Sequence, residues 1–498
     1  MLNFVYDNKT TLIFGKGTQH EAGALLKPFG KKVLLHYGGG SIRRSGLYGA
    51  VTASLKAAGV EYEELGGVQP NPTLPLVYEG IRLCREHGLS LVLAVGGGSV
   101  IDSAKAIALG VPHEGDVWDL YLSKQQPQAD PLPVATVLTI PAAGSESSPN
   151  TVITNEETRR KLGYGSPKLR PVFSIINPEL FFTLPHHQMA NGVSDMMSHI
   201  FERYFTRTLH TDLSDGLCET TLRTIMRNAR ILNGNLHDYD AWAEIAFSGN
   251  LAHNNLLGVG REQDWGCHAM EHELSALYHV DHGAGLAVVT PAWMKYVSPK
   301  HQGMFAQFAV KVMGVEGSFR EPDALIREGI SRLERFYREL GLPTTMEELN
   351  IKSGDFPLMA EQAISVRGPI GGWNNWTPGT SRPFTAWHAK ARCPIDGTPV
   401  SSSLPQRHEH ACGSAPLSGR ADSGTRGRQW NINIPRQSLS PGKKRRRRCI
   451  SSGGEPEEAA LKAQKGRRGR RSAPEYRPER KRIPVCSLTV NLSNASGH

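Results

Sequence analysis

Long apolar runs are missing from this sequence. No stretch approaches the roughly 20 uninterrupted apolar residues needed to cross a bilayer, so no membrane-spanning helix is expected. The opening MLNFVYDNKTTLIFG lacks a positive cluster followed by an apolar core, and does not read as a secretory signal. Cysteine is sparse and scattered. Cys84, Cys218 and Cys267 have no close partner, which excludes a disulfide framework or a thiolate zinc site in the first 372 residues. Each is expected to be a small buried hydrophobe, in a reducing, cytoplasmic compartment.

Positive charge is also missing where a globular nucleic-acid binder would carry it. The 498-residue chain has a formal net charge of +10. Residues 373–498, however, hold 24 Lys and Arg against 8 Asp and Glu, a net of +16, which leaves residues 1–372 at −6. The basicity belongs to the last quarter, in runs such as KKRRRR (443–448) and KGRRGRR (465–471). That segment is rich in Ser, Pro, Gly and Arg without a sustained apolar period, so it is expected to be a low-complexity basic tail that is mostly disordered. Its abrupt onset after Gly372 reads as out-of-frame or readthrough sequence. The rival reading is a basic appendage that binds nucleic acid.

What remains divides by periodicity. Through residue 184, apolar strand-like runs alternate with helical ones. KKVLLHY (31–37), EYEELGGV (61–68), LSLVLAV (89–95), PVATVLTIPAAG (133–144) and PVFSIINP (171–178) are separated by helical stretches at 47–58, 74–87 and after Gly98. This predicts an α/β domain over 1–184, built on a parallel sheet covered on both faces. Over 185–372 the period becomes helical, at 206–231, 242–257, 270–277, 304–313 and 322–340, which predicts a second, all-α domain.

Two features in this frame carry chemistry. Gly38-Gly39-Gly40-Ser41 and Gly96-Gly97-Gly98-Ser99 each end a predicted strand and open a helix. Glycine there lets the backbone approach a pyrophosphate, and the helix N-terminus offers unpaired N–H groups. Neither run is the G-x-G-x-x-G fingerprint, so this is not an ordinary Rossmann domain by motif. The second feature is histidine spacing. Asp195 and His199 in NGVSDMMSH are i, i+4, as are His268 and His272 in HAMEHELSALYHVDHG, with His282 ten residues further on. One carboxylate with two or three imidazoles suits Fe²⁺, Zn²⁺ or Co²⁺.

GGGSVIDSAK (96–105), TIPAAGSE (139–146), NGVSDMMSH (191–199) and HAMEHELSALYHVDHG (268–283) occur together and in this order. In this, residues 1 to about 372 closely resemble the iron-containing (group III) alcohol dehydrogenases, in the branch of NADPH-dependent aldehyde reductases and butanol dehydrogenases. The resemblance implies the dehydroquinate-synthase-like fold and a homodimer. It implies a divalent metal, Fe²⁺ or Zn²⁺, on Asp195, His199, His268 and His282. His272 stays off the metal as a proton relay, and Asp102 sits near the nicotinamide as a further catalytic residue. Gly38, Gly39, Gly40, Ser41, Gly97, Gly98, Ser99 and Asp102 would line the dinucleotide, with Thr139, Ser145, Asn150 and Lys161 flanking it. Members with a threonine before the Gly-Ser-Glu motif carry Ala143 here, so one hydroxyl contact is missing.

NAD-preferring relatives place an acid after the first strand. Here Gly39 stands there, with Ser41, Arg43 and Arg44 behind it, which favours NADP(H) over NAD(H). The implied reaction is hydride transfer between the nicotinamide and a small alkyl aldehyde or primary alcohol. The aromatic segments FERYFTRTLH (201–210) and WGCHAM (265–270) fit an alkyl group. A zinc-dependent polyol dehydrogenase or a dehydroquinate-synthase-like lyase is the alternative on the same fold. Nucleic-acid binding through the tail is the non-enzymatic one, and neither a nucleic acid nor a membrane is expected as a partner of the folded part.

Overall fold

The computed structural model of the protein describes residues 1–317, 321–365 and 371–373. From residue 374 onward, the expectations for the basic tail lie outside the described residues. Among the described residues no helix is long and apolar enough to cross a membrane.

The described residues form eight strands: β1 (Thr11–Phe14), β2 (Lys32–Tyr37), β3 (Glu61–Leu65), β4 (Val92–Gly96), β5 (Val134–Leu138), β6 (Asn150–Asn155), β7 (Arg160–Gly165) and β8 (Phe173–Ile176). Six form a wholly parallel sheet in the order β1-β8-β5-β4-β2-β3. Its inner strands are apolar on both faces because both are covered, whereas the edge strands β1 and β3 are partly exposed. Val33, Leu35, Leu93, Val95, Val137 and Ile175 point into one core, with Val51 and Leu55. Leu34, Val92, Ala94, Val134 and Ile176 point into the other, with Val100 and Ile107. The helices of this layer are α1 (Ala22–Leu26), α2 (Ser41–Arg44), α3 (Leu47–Ala58), α4 (Leu74–His87), α5 (Gly98–Gly110) and α6 (Val117–Ser123).

Beyond β8 the chain is helical: α7 (His186–Tyr204), α8 (Asp212–Gly234), α9 (Tyr239–His253), α10 (Gly266–Tyr278), α11 (His282–Val297), α12 (Gln302–Lys311), α13 (Pro322–Glu339) and α14 (Phe356–Ser365). The helix expected from 206 begins only at Asp212, because His210 takes a left-handed turn (φ 61°) just before it. Helix α11 was not expected. Gly283, Gly285 and Pro291 mask its period, yet a Cβ on Gly283 would stand 2.0 Å from the Asn191 carbonyl oxygen, so glycine is what lets α11 lie against α7. The antiparallel pair β6–β7 was also not expected, since its strands are short and half polar.

Trp373 belongs to the folded part. Its indole N–H donates to the Phe205 carbonyl (2.9 Å), its backbone N–H to Asp264 (3.1 Å), and its ring lies against His301.

Candidate metal and nucleotide site

The chain leaves β2 for β3 on one side of the sheet and β4 for β5 on the other, with α3 and α5 on opposite faces. Between the carboxyl ends of β2 and β4 there is therefore a crevice, where open α/β sheets bind ligands. Both glycine runs open onto it. A Cβ on Gly97 would lie 3.0 Å from that of Ile140, and one on Gly98 would lie 3.0 Å from that of Ala143. The residue expected to lack a hydroxyl contact thus supplies the close packing that requires glycine at the start of α5.

The crevice continues into a cleft of about 1160 Å³ that reaches the helical part. Every cofactor and metal residue anticipated from the sequence lines it except Gly40, which faces solvent. Arg44 is on the lining, but Arg43 is not. It pairs with Glu64 at 2.8 Å and lies over the Tyr48 ring at 3.8 Å. The aromatic run after α7's ligands is not on the lining either. Phe201, Tyr204 and Phe205 are fully buried against Phe305, Phe308 and Trp293, so their character says nothing about a substrate. The apolar lining comes instead from Ile140, Leu180, Leu184, Pro185 and Trp265.

Asp102 is already engaged. One carboxylate oxygen accepts from the Ser145 hydroxyl (2.6 Å) and the other from the Val152 N–H (2.9 Å). Below it, Lys105 is fully buried and donates to the Ser145, Ser148 and Asn150 carbonyls at 2.7–2.9 Å. Burial lowers its pKa to about 8, against the pull of Asp102 and Glu146. These two side chains of α5 hold the 145–152 segment that walls the cleft. The sequence reading passed over Lys105, because a lysine in an otherwise apolar helix looks solvent-exposed until its acceptors are in place.

Across the cleft, one turn of α7 aims Asp195 and His199 at the same point, as the i, i+4 spacing requires. The Nε2 atoms of His199, His268 and His282 lie 3.7, 3.8 and 3.6 Å from Asp195 Oδ1. Ligands about 2.1 Å from a tetrahedral ion stand about 3.4 Å apart, close to each of these three separations. Among the described residues, Asp195, His268 and His282 bring their ligand atoms within 4.8 Å of one another, while His199 lies outside that group and approaches it through Asp195. Among the described residues, Asp195 Oδ1 and His268 Nε2 are buried without a hydrogen-bond partner, a costly state that a cation would relieve. The donor set of one carboxylate and three imidazoles fits a divalent transition metal. His272 also lines the cleft, but it groups with Glu271 and His282 rather than with Asp195.

Around this cluster the structure adds residues not singled out in the sequence. Burial pushes the Glu202 carboxyl up to about 7, while His282 and Lys161 outweigh burial at Glu271 and hold it down at about 2. His253 stacks on His199 with centroids 4.1 Å apart, takes Arg203 on Nδ1 (3.1 Å) and meets Asn150 through Nε2 (3.2 Å). Burial, with the nearby positive charges, keeps His199 and His253 well below the ordinary histidine range, so both are neutral. Lys161, on β7, stands 3.5 Å from both Glu271 Oε2 and His282 Nδ1, which places it beside the cation cluster as well as on the cleft.

A glycine-lined crevice at a helix N-terminus, in one continuous cleft with a cluster of one carboxylate and imidazoles suited to a divalent cation, marks a metal-assisted, nucleotide-linked enzyme. Comparison with known proteins places it further. Residues 9–178 match the model of the iron-containing alcohol dehydrogenases, and residues 189–379 match the C-terminal model of the same family. The chain is 40% identical over 387 residues to NADH-dependent butanol dehydrogenase A of Clostridium acetobutylicum, covering 78% of this chain and 97% of that one. It is 33% identical over 365 residues to the NADPH-dependent aldehyde reductase YqhD of Escherichia coli, covering 73% and 93%. The crystal structure of NADH-dependent butanol dehydrogenase A from Thermotoga maritima superposes with a TM-score of 0.75 at 40% identity, covering 78% of this chain and 99% of that one. This chain belongs to the iron-containing alcohol dehydrogenase family and is an oxidoreductase acting between alcohols and aldehydes.

Proposed function

We propose that the chain is a metal-dependent, NADP(H)-linked reductase of small alkyl aldehydes, with Asp195, His199, His268 and His282 as the metal ligands. The observation that carries this is the convergence of three imidazole nitrogens on the unpartnered Asp195 oxygen, in the same cleft as the glycine turns. A divalent ion there supplies Lewis-acid polarisation of the carbonyl oxygen, and the reduced nicotinamide supplies hydride. The chain's own residues do the rest. Gly97, Gly98 and the first N–H groups of α5 receive the pyrophosphate. Asp102 keeps the 145–152 wall in place rather than meeting the substrate directly. His272, at the cleft beside the cluster, passes the proton that the reduced oxygen requires. Ile140, Leu184 and Trp265 supply an apolar lining suited to a short alkyl chain.

The preference for NADP(H) rests on the adenosine end. The stretch of lining formed by Gly38, Gly39, Ser41, Arg44 and Ser45 carries no carboxylate to bond a ribose 2′-hydroxyl, while Ser41 and Arg44 can receive a 2′-phosphate. Arg43 drops out of this argument because Glu64 neutralises it. The named relatives use either cofactor, so kinetics decide. kcat/KM for NADPH should exceed that for NADH severalfold and fall in Arg44→Ala. An NADH preference in the parent enzyme would overturn this part. A cytoplasmic setting belongs to the same reading, since Cys84, Cys218 and Cys267 are all unpaired and buried.

The primary test is NADPH oxidation with butyraldehyde, before and after chelation and with Fe²⁺ or Zn²⁺ restored. Activity should vanish with the metal and return with it, and Asp195→Ala should not recover. Activity indifferent to both treatments would sink the mechanism.

A further inference from the structure

Two buried carboxylates stand behind the cluster, and each reaches it from a neighbouring helix. Glu202, on α7 three residues after His199, accepts from Nδ1 of His268 (3.0 Å) and from the His268 backbone N–H (2.9 Å). Glu271, on α10 three residues after His268, accepts from Nδ1 of His282 and from the Ser275 hydroxyl. The pattern His-x-x-Glu thus occurs twice, as His199-Ile-Phe-Glu202 and His268-Ala-Met-Glu271. In neither case does the glutamate serve the histidine of its own turn. It crosses to the histidine of the next helix, so α7 holds α10 and α10 holds α11.

His199 has no such backing. Among the described residues its Nδ1 is buried with no hydrogen-bond partner, and its ring stacks between His253 and His268 with Trp265 edge-on to it. The three imidazoles are therefore not equivalent. In His268 and His282 an Nδ1–H bound to a carboxylate leaves the Nε2 lone pair aimed at the cluster, with the ring fixed and its basicity raised.

We propose that Glu202 and Glu271 are positioning residues, a crossed pair of braces that fix the tautomer and direction of His268 and His282 and thereby set the affinity for the metal. His199 is the least constrained of the three imidazoles. This rests on the reading of Asp195, His199, His268 and His282 as ligands. The glutamates do not touch the ion or the substrate; they act through the histidines.

The experiment measures Zn²⁺ and Co²⁺ dissociation constants of the full chain by competition with a chromophoric chelator, for the parent, Glu202→Gln and Glu271→Gln. The thermal midpoint of each metal-free protein and its NADPH affinity, by fluorescence, are recorded alongside. Each glutamine keeps the shape but not the charge, so affinity should weaken by about 10- to 100-fold. The metal-free midpoint and NADPH binding should stay close to the parent values, and Glu202→Asp should recover part of the affinity. Two results overturn the braces: glutamine variants that bind metal within twofold of the parent, or variants whose metal-free form melts or misfolds in step with the loss. A parent protein that binds neither ion, or that binds them equally well as Asp195→Ala, overturns the ligand reading itself and is told apart by that control.

Discussion

At the scale of single residues, the site separates groups that hold from groups that react. Asp102, Ser145 and Lys105 spend their hydrogen bonds on each other and on the 145–152 segment. His272 is different: it lines the cleft beside the cluster without joining the Asp195 group. If it passes the proton, His272→Ala should lower kcat by about 10²-fold or more while leaving metal content unchanged, as general acid–base groups do. Metal content by elemental analysis and steady-state kinetics check this together. A variant that loses metal as well would make His272 part of the binding site instead. The i, i+4 spacing marked Asp195, His199, His268 and His272 as candidate donors, because it fixes a shared helix face, and only the family resemblance placed His282 among the expected ligands and His272 outside them. Glu202, Glu271 and His253 were not legible, since a helix-borne carboxylate gives no sign of which neighbouring helix it will face.

At the scale of elements, the two glycine turns matter because β2 and β4 are neighbours, with their helices on opposite faces. A buried histidine ties the two units together. His36 on β2 meets the Leu65 carbonyl through Nδ1 (2.8 Å) and the Ser103 hydroxyl of α5 through Nε2 (2.9 Å). Burial lowers its pKa from the ordinary 6.5 to about 4, partly offset by the Leu65 carbonyl. The folded state thus refuses a proton that the unfolded state accepts. This contribution to stability is complete above pH 6.5 and is lost as pH falls toward 4. Between pH 7.5 and 5 the parent should lose about 2 kcal/mol more unfolding free energy than His36→Asn, which keeps a donor and an acceptor but does not titrate. Urea unfolding at the two pH values measures the difference, and parallel pH slopes would refute it. The elements missed in the sequence, β6–β7 and α11, are those whose local pattern is weakest. The hairpin is half polar, and α11 carries two glycines and a proline because it must pack against α7.

At the scale of the whole molecule, among the described residues the parallel sheet ends in β1, which pairs with β8 on one side only. Ahead of it in the chain, Met1, Leu2, Phe4 and Val5 are 48–94% exposed, with Met1 and Leu2 hydrogen-bonded to the Leu209 and Gly260 carbonyls of the helical part. An open strand edge and exposed apolar residues are each surfaces that proteins cover. We therefore expect a homodimer closed over this edge. Light scattering should give about twice the 54.5 kDa chain mass, and deleting residues 1–8 should return it to one. A monomeric parent protein would rule this arrangement out.

The sequence by itself determined the division into a parallel α/β part and a helical part, the two glycine turns, and the residues able to bind a metal. The division, the turns and the shared faces of Asp195 with His199 and of His268 with His272 follow from periodicities and spacings that local backbone geometry imposes over a few residues, while the inclusion of His282 follows from the family resemblance. Only the tertiary structure decided that Arg43 is neutralised by Glu64 while Arg44 faces the cleft, and that Phe201 and Phe205 belong to the core. It alone decided that Glu202 and Glu271 back the histidines of the next helix. These are relations between residues 11 to 100 positions apart, and packing, not local geometry, settles which side chain meets which.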